Sequence, residues 1–216
     1  MVEKIISGSH EEWLWNRKRR IGGSDASAIL GRNPYKTNIE LWQEKTGQTA
    51  PEDISDKPYV KYGTAAEEYL RELFKLDYPD YTVCYEENNI WVNDRMPWAH
   101  ASLDGWLIDK DGRKGIWECK TTNILQSMQK EKWKQKIPDN YYVQVLHYLM
   151  VTEFDFAELK AQLKYDFGGE IYLQTRHYHI ERSEVQEDID YLMQKEAEFW
   201  EYVRNDTRPP RSLPEI

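Results

Sequence analysis

The chain has few cysteines and no long apolar run. Its 216 residues include two cysteines, Cys84 and Cys119. Two cysteines cannot build a disulfide framework, a four-cysteine metal site or a four-thiolate iron–sulfur site. No apolar stretch approaches the ~20 residues of a transmembrane helix, and no signal peptide is recognisable at the N-terminus. We therefore expect a cytoplasmic protein that does not bind a membrane.

The chain also lacks an excess of positive charge. Its formal net charge is −9, which argues against a protein that coats nucleic acid nonspecifically. It does not exclude an enzyme that acts on DNA, because a site that holds metal cations needs its own carboxylates. Local basic runs occur at residues 17–20 and 130–136, whereas much of the acidity lies in residues 181–201. Positive and negative charges are thus concentrated in different regions of the chain.

Composition and pattern predict a single domain at residues 1–204, followed by an extended tail at 205–216. No internal repeat is present. Helical periodicity and capping boxes predict helices, and alternation and turn residues predict strands. The helices are expected at 10–20, 25–30, 37–47, 62–76, 122–136, 141–152 and 183–203, and the strands at 81–86, 89–93, 99–119 (a hairpin) and 156–180 (a hairpin). This order indicates an α/β, α+β-like fold with a central mixed β-sheet flanked by helices.

The register of the hairpin at 99–119 depends on its turn. A two-residue turn of Asp111 and Gly112 would place Asp104 opposite Cys119. A three-residue loop of residues 110–112, with Gly112 in the left-handed conformation of a G1 bulge, would place Asp104 opposite Glu118. We predict the three-residue loop, which brings the two carboxylates together.

Lys120 shares the face of Glu118, because side chains alternate along a strand. Two carboxylates and a lysine on one face are typical of a metal-dependent phosphodiesterase. The pattern alone is weak, since a surface hairpin can show it by chance. However, Glu118 follows the apolar Ile116 and Trp117, and a charge in a buried strand is costly unless it is paired or metal-bound.

The helix at 62–76 offers another carboxylate. Glu68 is expected on the outer face with Arg71, Glu72 and Lys75, where a solvated side chain is the ordinary case. Glu67 instead borders the apolar stripe and is a candidate site residue.

Two polar residues interrupt the apolar helix at 141–152. Gln144 is either a core-edge glutamine bonded to the backbone or a site residue. His147 is expected to be a satisfied buried side chain, because no histidine lies four residues away to share a metal.

The segment R-R-I-G-G-S-D-A-S-A-I-L contains two glycines and the start of a short helix. The nearby Arg20, with Ser24 and Ser27 in the helix, would suit phosphate binding at its N-terminus. The alternative is a helix–helix corner in which Ser24 is only a cap.

Together these motifs resemble the phage lambda exonuclease and YqaJ-like viral recombinase family of the PD-(D/E)XK nuclease superfamily. The matching text is R-I-G-G-S-D-A-S from Arg20, G-T-A-A-E from Gly63, S-L-D-G from Ser102, E-C-K from Glu118 and Y-V-Q-V-L-H-Y from Tyr142. Each motif is weak, but five in the family's order are specific. They span residues 20–148, and the departure is small: leucine stands at position 103, where the family often has proline.

The resemblance implies a restriction-endonuclease-like core and a Mg²⁺-dependent 5′-to-3′ exonuclease acting on duplex DNA, with Mn²⁺ as a substitute. Asp104 and Glu118 match the metal ligands, with the Cys119 carbonyl, and two ions per site are expected. Lys120 matches the catalytic lysine, which orients or helps deprotonate the attacking water. Glu67 matches the helical carboxylate.

The resemblance further implies a pocket for the terminal 5′-phosphate, matched by Arg20, Ser27, Ser102 and Gln144. It implies a homotrimeric ring and a single-strand annealing protein that receives the 3′ overhang, in a bacterial or phage-infected cytoplasm. Two alternatives stay open: an endonuclease or exonuclease of other polarity, and a catalytically dead module that binds DNA ends.

Overall fold

The computed structural model describes residues 1–125, 127–134 and 136–213. Its helices are α1 (His10–Lys18), α2 (Gly23–Ile29), α3 (Asn38–Lys45), α4 (Pro58–Asp77), α5 (Ser127–Lys132), α6 (Asp139–Thr152) and α7 (Gln186–Arg204). Its strands are β1 (Val2–Ile6), β2 (Thr82–Cys84), β3 (Asn89–Asn93), β4 (Gly105–Ile108), β5 (Lys114–Asn123), β6 (Phe156–Phe167) and β7 (Glu170–Glu181).

A five-stranded mixed sheet forms the centre of the molecule, in the order β2–β4–β5–β6–β7. The long strands β5 and β6 pair in parallel, and the other neighbours are antiparallel. A parallel pair needs a crossover, which α5 and α6 supply. The predicted mixed sheet flanked by helices is therefore confirmed.

Helices cover both faces of this sheet. On one face α6 contributes its buried residues to a core with Ile116, Leu159 and Ala161. On the other face α4 places Leu70 and Phe74 among the residues of a second core, which includes Trp117. The rings of Phe74 and Trp117 meet edge to face at 6.1 Å between centroids, and both side chains are fully buried. The strand β5 is thus held between α4 and α6, and it carries the candidate site.

The predicted helix at 122–136 is wrong in its first part. Strand β5 continues to Asn123, because Thr121 and Thr122 extend the ladder with β6 and β-branched residues favour that conformation. A short helix follows only at Ser127–Lys132, and residues 126 and 135 of the predicted helix lie outside the described residues.

The strands predicted at 81–86 and 89–93 are both present, but they lie in different sheets. Strand β2 pairs with β4, whereas β3 pairs with β1 in a separate two-stranded sheet. Strand β1 was not predicted at all. The capping box that opens α3 is confirmed: the Thr37 side chain accepts from the Glu40 amide, and Glu40 accepts from the Thr37 amide.

The tail beyond α7 packs against the domain. The buried Asn38 of α3 donates to the Pro210 carbonyl at 2.8 Å and accepts from the Ser212 amide at 3.0 Å. Residues 214–216 of the predicted tail lie outside the described residues. Within the described part of the chain, no helix is long and apolar enough to span a bilayer.

Candidate active site

The hairpin of β4 and β5 has the predicted register. Gly105 pairs with Trp117 and Ile108 with Lys114, so the next position places Asp104 opposite Glu118. Residues 110–112 form the loop, and Gly112 has a φ of 79°, which glycine adopts at little cost. The Asp109 amide closes the loop on the Arg113 carbonyl at 3.0 Å. The prediction of a three-residue loop is confirmed.

Glu118 lies at the centre of a buried polar cluster and is 1% exposed. Its Oε1 accepts from Lys120 Nζ at 2.5 Å and from Gln144 Nε2 at 3.0 Å. Its Oε2 is buried and has no hydrogen-bond partner among the described residues. Asp104 Oδ2 accepts from the Cys119 amide at 3.1 Å. One carboxylate oxygen therefore points into the cluster unsatisfied, a costly arrangement without a cation or proton.

Burial and a neighbouring carboxylate raise the pKa of two carboxyl groups of the cluster. Burial, followed by the charge of Asp104, raises the pKa of Glu118 to about 8. The same two causes raise the pKa of Glu67 to about 7. For Lys120, burial lowers the pKa, but Glu118 and Asp104 outweigh it and hold the pKa well above its usual value. The cluster thus holds a protonated lysine among carboxyl groups that repel each other.

Glu67 and Glu68 take the predicted positions, since Glu67 is half-buried near the cluster and Glu68 is exposed. The prediction for Arg71 is wrong. Its side chain is 7% exposed, stacks on the Tyr85 ring at 3.8 Å and donates to the Asp104 carbonyl at 2.8 Å. The signal for it was present, because Arg71 follows Glu67 by four residues and therefore shares its helix face.

The residues predicted for a phosphate pocket are placed unequally. Gln144 joins the cluster directly, since its Nε2 donates to Glu118 and to the Tyr148 hydroxyl at 2.8 Å. Ser102 Oγ donates to the Asn89 carbonyl at 2.8 Å and accepts from Trp13 Nε1 at 3.1 Å. Ser27 is 2% exposed.

Arg20 is half-buried just beyond α1, and its carbonyl accepts from Lys45 Nζ at 2.7 Å. Ser24, in the first turn of α2, is exposed to solvent, whereas Ser27, in the next turn, is buried.

His147 is a buried, partnered side chain, as predicted. One ring nitrogen, Nδ1, lies 2.6 Å from Glu196 Oε1, and the other, Nε2, lies 2.8 Å from the His100 carbonyl. Burial lowers the pKa of His147, but Glu196 and the carbonyl raise it more. This pair joins α6 to α7 and does not enter the carboxylate cluster.

Gly23 lets α2 approach α6 at the cluster. A Cβ at this position would lie 2.5 Å from Tyr148 Cε1 and 3.0 Å from Gln144 Cγ. We expect Gly23→Ala to destabilise the fold by about 1–3 kcal/mol and to displace Gln144, because neither the ring nor the backbone can yield fully. Urea unfolding would measure the free energy. Gly8→Ala is the matched control, since its Cβ would have only an ordinary contact at 3.4 Å; equal stability of the two variants would contradict the prediction.

The donors of the cluster suit a hard divalent cation. Carboxylate and carbonyl oxygens are the ligands that Mg²⁺ prefers, and the free Glu118 Oε2 marks where such an ion would remove an unsatisfied charge. Within residues 1–125, 127–134 and 136–213, no group of three His, Cys, Asp or Glu side chains is arranged to hold a metal. A complete site would therefore need other oxygens, such as the Cys119 carbonyl and water.

Comparison with known proteins gives a consistent result. The model of the YqaJ-like viral recombinase domain matches residues 12–155. The uncharacterized protein YqaJ of Bacillus subtilis (strain 168) is 34% identical over 200 residues, which is 93% of this chain and 58% of that protein. The chain thus spans less than two thirds of this relative.

Solved structures of low identity share the fold. An alkaline exonuclease from Laribacter hongkongensis has a TM-score of 0.65 and 15% identity, covering 91% of this chain and 93% of its own. A phage related exonuclease from Haemophilus somnus 129PT has a TM-score of 0.55 and 13% identity, covering 87% and 96%. On the match to residues 12–155, which is most of the chain, this protein belongs to the YqaJ-like viral recombinase domain family.

Proposed function

We propose that this chain is a Mg²⁺-dependent exonuclease that degrades the 5′-ended strand of duplex DNA and leaves a 3′ overhang. The observation that carries the proposal is the buried Glu118, with one unsatisfied oxygen beside Asp104 and a lysine 2.5 Å from the other oxygen. A cation would neutralise the repelling carboxylates, and the lysine supplies a fixed charge beside it. The family and the fold shared with exonucleases support the same chemistry.

In this proposal Asp104, Glu118 and the Cys119 carbonyl would hold Mg²⁺, and Asp104 and Glu67, the latter through water, would serve a second ion. Bound Mg²⁺ would stabilise charge on the attacking and leaving oxygens of an in-line displacement. Mn²⁺ would substitute. Lys120, held on Glu118, orients the attacking water and offsets negative charge at the phosphorus.

Arg71 is a positioning residue in this proposal. Its hydrogen bond to the Asp104 carbonyl fixes the backbone of the residue whose carboxylate would bind the ion. Its stacking on Tyr85 holds the guanidinium in place. Because the contact is to the main chain, Arg71 fixes the backbone position from which the Asp104 side chain extends. It does so without using the carboxylate oxygens of Asp104 as hydrogen-bond acceptors.

The pocket for a terminal 5′-phosphate would comprise Arg20, Ser27, Ser102 and Gln144. Gln144 supports this placement, since it contacts Glu118 and so adjoins the cutting site. The buried Ser27 is its weakest member, and the exposed Ser24 of the same helix offers another hydroxyl. A pocket beside the carboxylates would set the first scissile bond one nucleotide from the end. The proposal includes a homotrimeric ring and a single-strand annealing protein as the recipient of the overhang.

End-labelled linear duplexes test the function. With protein and Mg²⁺, we expect a 5′ label to be released at once as mononucleotide, whereas a 3′ label on the same duplex stays in long products. EDTA should stop both reactions. Release of the 3′ label first would show that the enzyme digests in the 3′-to-5′ direction. Cutting of closed circular duplex would indicate an endonuclease. Binding of DNA ends without cleavage would indicate an inactive module.

The phosphate pocket predicts a preference for phosphorylated ends. We expect a duplex with 5′-phosphates to be degraded faster, by on the order of 10-fold, than the same duplex with 5′-hydroxyls, because charge-assisted hydrogen bonds to phosphate are lost. Arg20→Ala should remove the preference, and initial rates on both duplexes would measure it. Lys18→Ala, a basic residue on the exposed side of α1, is the control. A preference that survives Arg20→Ala would remove Arg20 from the pocket.

A further inference from the structure

Trp15 on α1 is exposed in a way that no other tryptophan is. All nine tryptophans lie in the described residues, and Trp15, at 57% exposure, is the one that is exposed rather than buried or half-buried. The neighbouring Leu14 is 41% exposed. A large aromatic ring in water gains free energy when a flat apolar partner covers it, so the outer face of α1 can bind such a partner.

The charge around Trp15 favours a polyanion. The Arg19 guanidinium lies over one face of the Trp15 ring, 4.4 Å from its centroid, and places a cation beside the ring. Arg19 belongs to the basic run at 17–20 within a chain of net charge −9. Aromatic rings next to arginines are the usual means of binding single-stranded nucleic acid, since every base offers a flat face and every nucleotide a phosphate.

The position of α1 places this surface beside the candidate pocket. On the opposite side of the helix, Trp13 donates to Ser102 Oγ at 3.1 Å, and Arg17 stacks on the Trp13 ring at 4.0 Å. Positions 13 and 15 differ by about 200° around a helix, so the two rings point to opposite sides. The exposed ring is therefore about one helix diameter, ~10 Å, from the Ser102 side.

We propose that Trp15 and Arg19 form a binding surface for single-stranded DNA, namely the strand that becomes unpaired as its complement is removed. This inference rests on the proposed exonuclease function for the source of the strand. Trp15 stacks on a base, Arg19 contacts the adjoining phosphate, and α1 separates the uncut strand from the strand that enters the pocket. The surface would keep the overhang from pairing again behind the site.

The test uses the full chain in EDTA, so that binding is measured without cleavage. The probe is a fluorescein-labelled 20-mer of thymidine, followed by anisotropy. We expect Trp15→Ala to weaken binding about 10-fold and Trp15→Tyr to restore most of it, because tyrosine also stacks. Arg19→Ala should make the slope of log affinity against log salt concentration shallower by about one unit, because one phosphate contact is lost. Tyr69→Ala on α4, 74% exposed, and Arg204→Ala on α7 are matched controls and should leave affinity unchanged.

Equal affinity of wild type and Trp15→Ala for the 20-mer would overturn the inference, as would equal losses in Tyr69→Ala. A change in mass by analytical ultracentrifugation for Trp15→Ala, without a change in affinity, would show that the ring contacts protein instead. The proposed function fails separately, if wild type releases no label from duplex with Mg²⁺. A thermal unfolding curve for each variant excludes loss of the fold.

Discussion

Lys120→Ala is expected to reduce DNA hydrolysis by about 10³-fold, the effect of removing a fixed charge from the reacting centre. The amine lies 2.5 Å from Glu118 Oε1 and has no substitute among the side chains that the structure places in the cluster. Initial rates on a labelled duplex at saturating Mg²⁺ would measure the loss. Lys164→Ala is the matched control, because Lys164 lies on the adjacent strand opposite Asn123 and packs on Tyr62.

Glu118→Gln should abolish hydrolysis in the same assay while the fold persists. Glutamine keeps an oxygen that accepts from Lys120 and Gln144, but it loses the charge that would bind Mg²⁺. The circular dichroism spectrum should therefore match that of wild type. Wild-type rates in both Lys120→Ala and Glu118→Gln would refute the assignment of this cluster as the cutting site.

Divalent metal is expected to stabilise the folded protein, with Mg²⁺ or Mn²⁺ raising the Tm of wild type by about 5–10 °C. A ligand at 100 times its Kd contributes ~2.7 kcal/mol, and each kcal/mol moves the Tm of a chain of this size by about 2–4 °C. Differential scanning calorimetry with and without metal would measure the shift. Glu118→Gln should show little of it. An equal shift in that variant would mean that the ion binds elsewhere.

The increase in Tm caused by divalent metal should also depend on pH. In the metal-free protein the pKa of Glu118 is raised from 4.5 to about 8, so the folded state binds this proton more tightly than the unfolded chain does. The contribution to stability is therefore complete below pH 4.5 and is lost as the pH rises to about 8. A proton and a cation compete for the same carboxyl group. The Tm shift caused by Mg²⁺ should accordingly be larger at pH 9 than at pH 6.5.

The part of the site that lies on the hairpin could be predicted from turn type and strand alternation alone. The register followed from one glycine and a count of residues, and Glu67 followed from helical periodicity. In contrast, Arg71 is expected on the outer face with Glu68, although its spacing of four residues from Glu67 also places it on the face of Glu67. Its burial depends on a carbonyl at Asp104 and a ring at Tyr85, and neither is close in sequence.

Long-range pairing explains the other errors. Strand β1 forms against β3, with Val2 opposite Asn93, so no signal near residue 2 reveals it. Thr121 and Thr122 continue a strand because β6 is beside them, although the charged residues that follow favour a helix. The burial of Ser27 depends on the packing of α2 against α6. The close approach of the two helices at Gly23 makes this packing possible.

The loop at 110–112 has a consequence for how this protein can vary. No atom lies within 4 Å of a Cβ built on Gly112, so space does not restrict this position, but its φ of 79° favours glycine. A substitution that favoured a two-residue turn of residues 111–112 would shift the register by one residue and move Asp104 opposite Cys119. Such a change would leave a hairpin with its carboxylates on different faces. Selection on this surface loop should therefore act chiefly on Gly112, whose left-handed conformation maintains the three-residue turn.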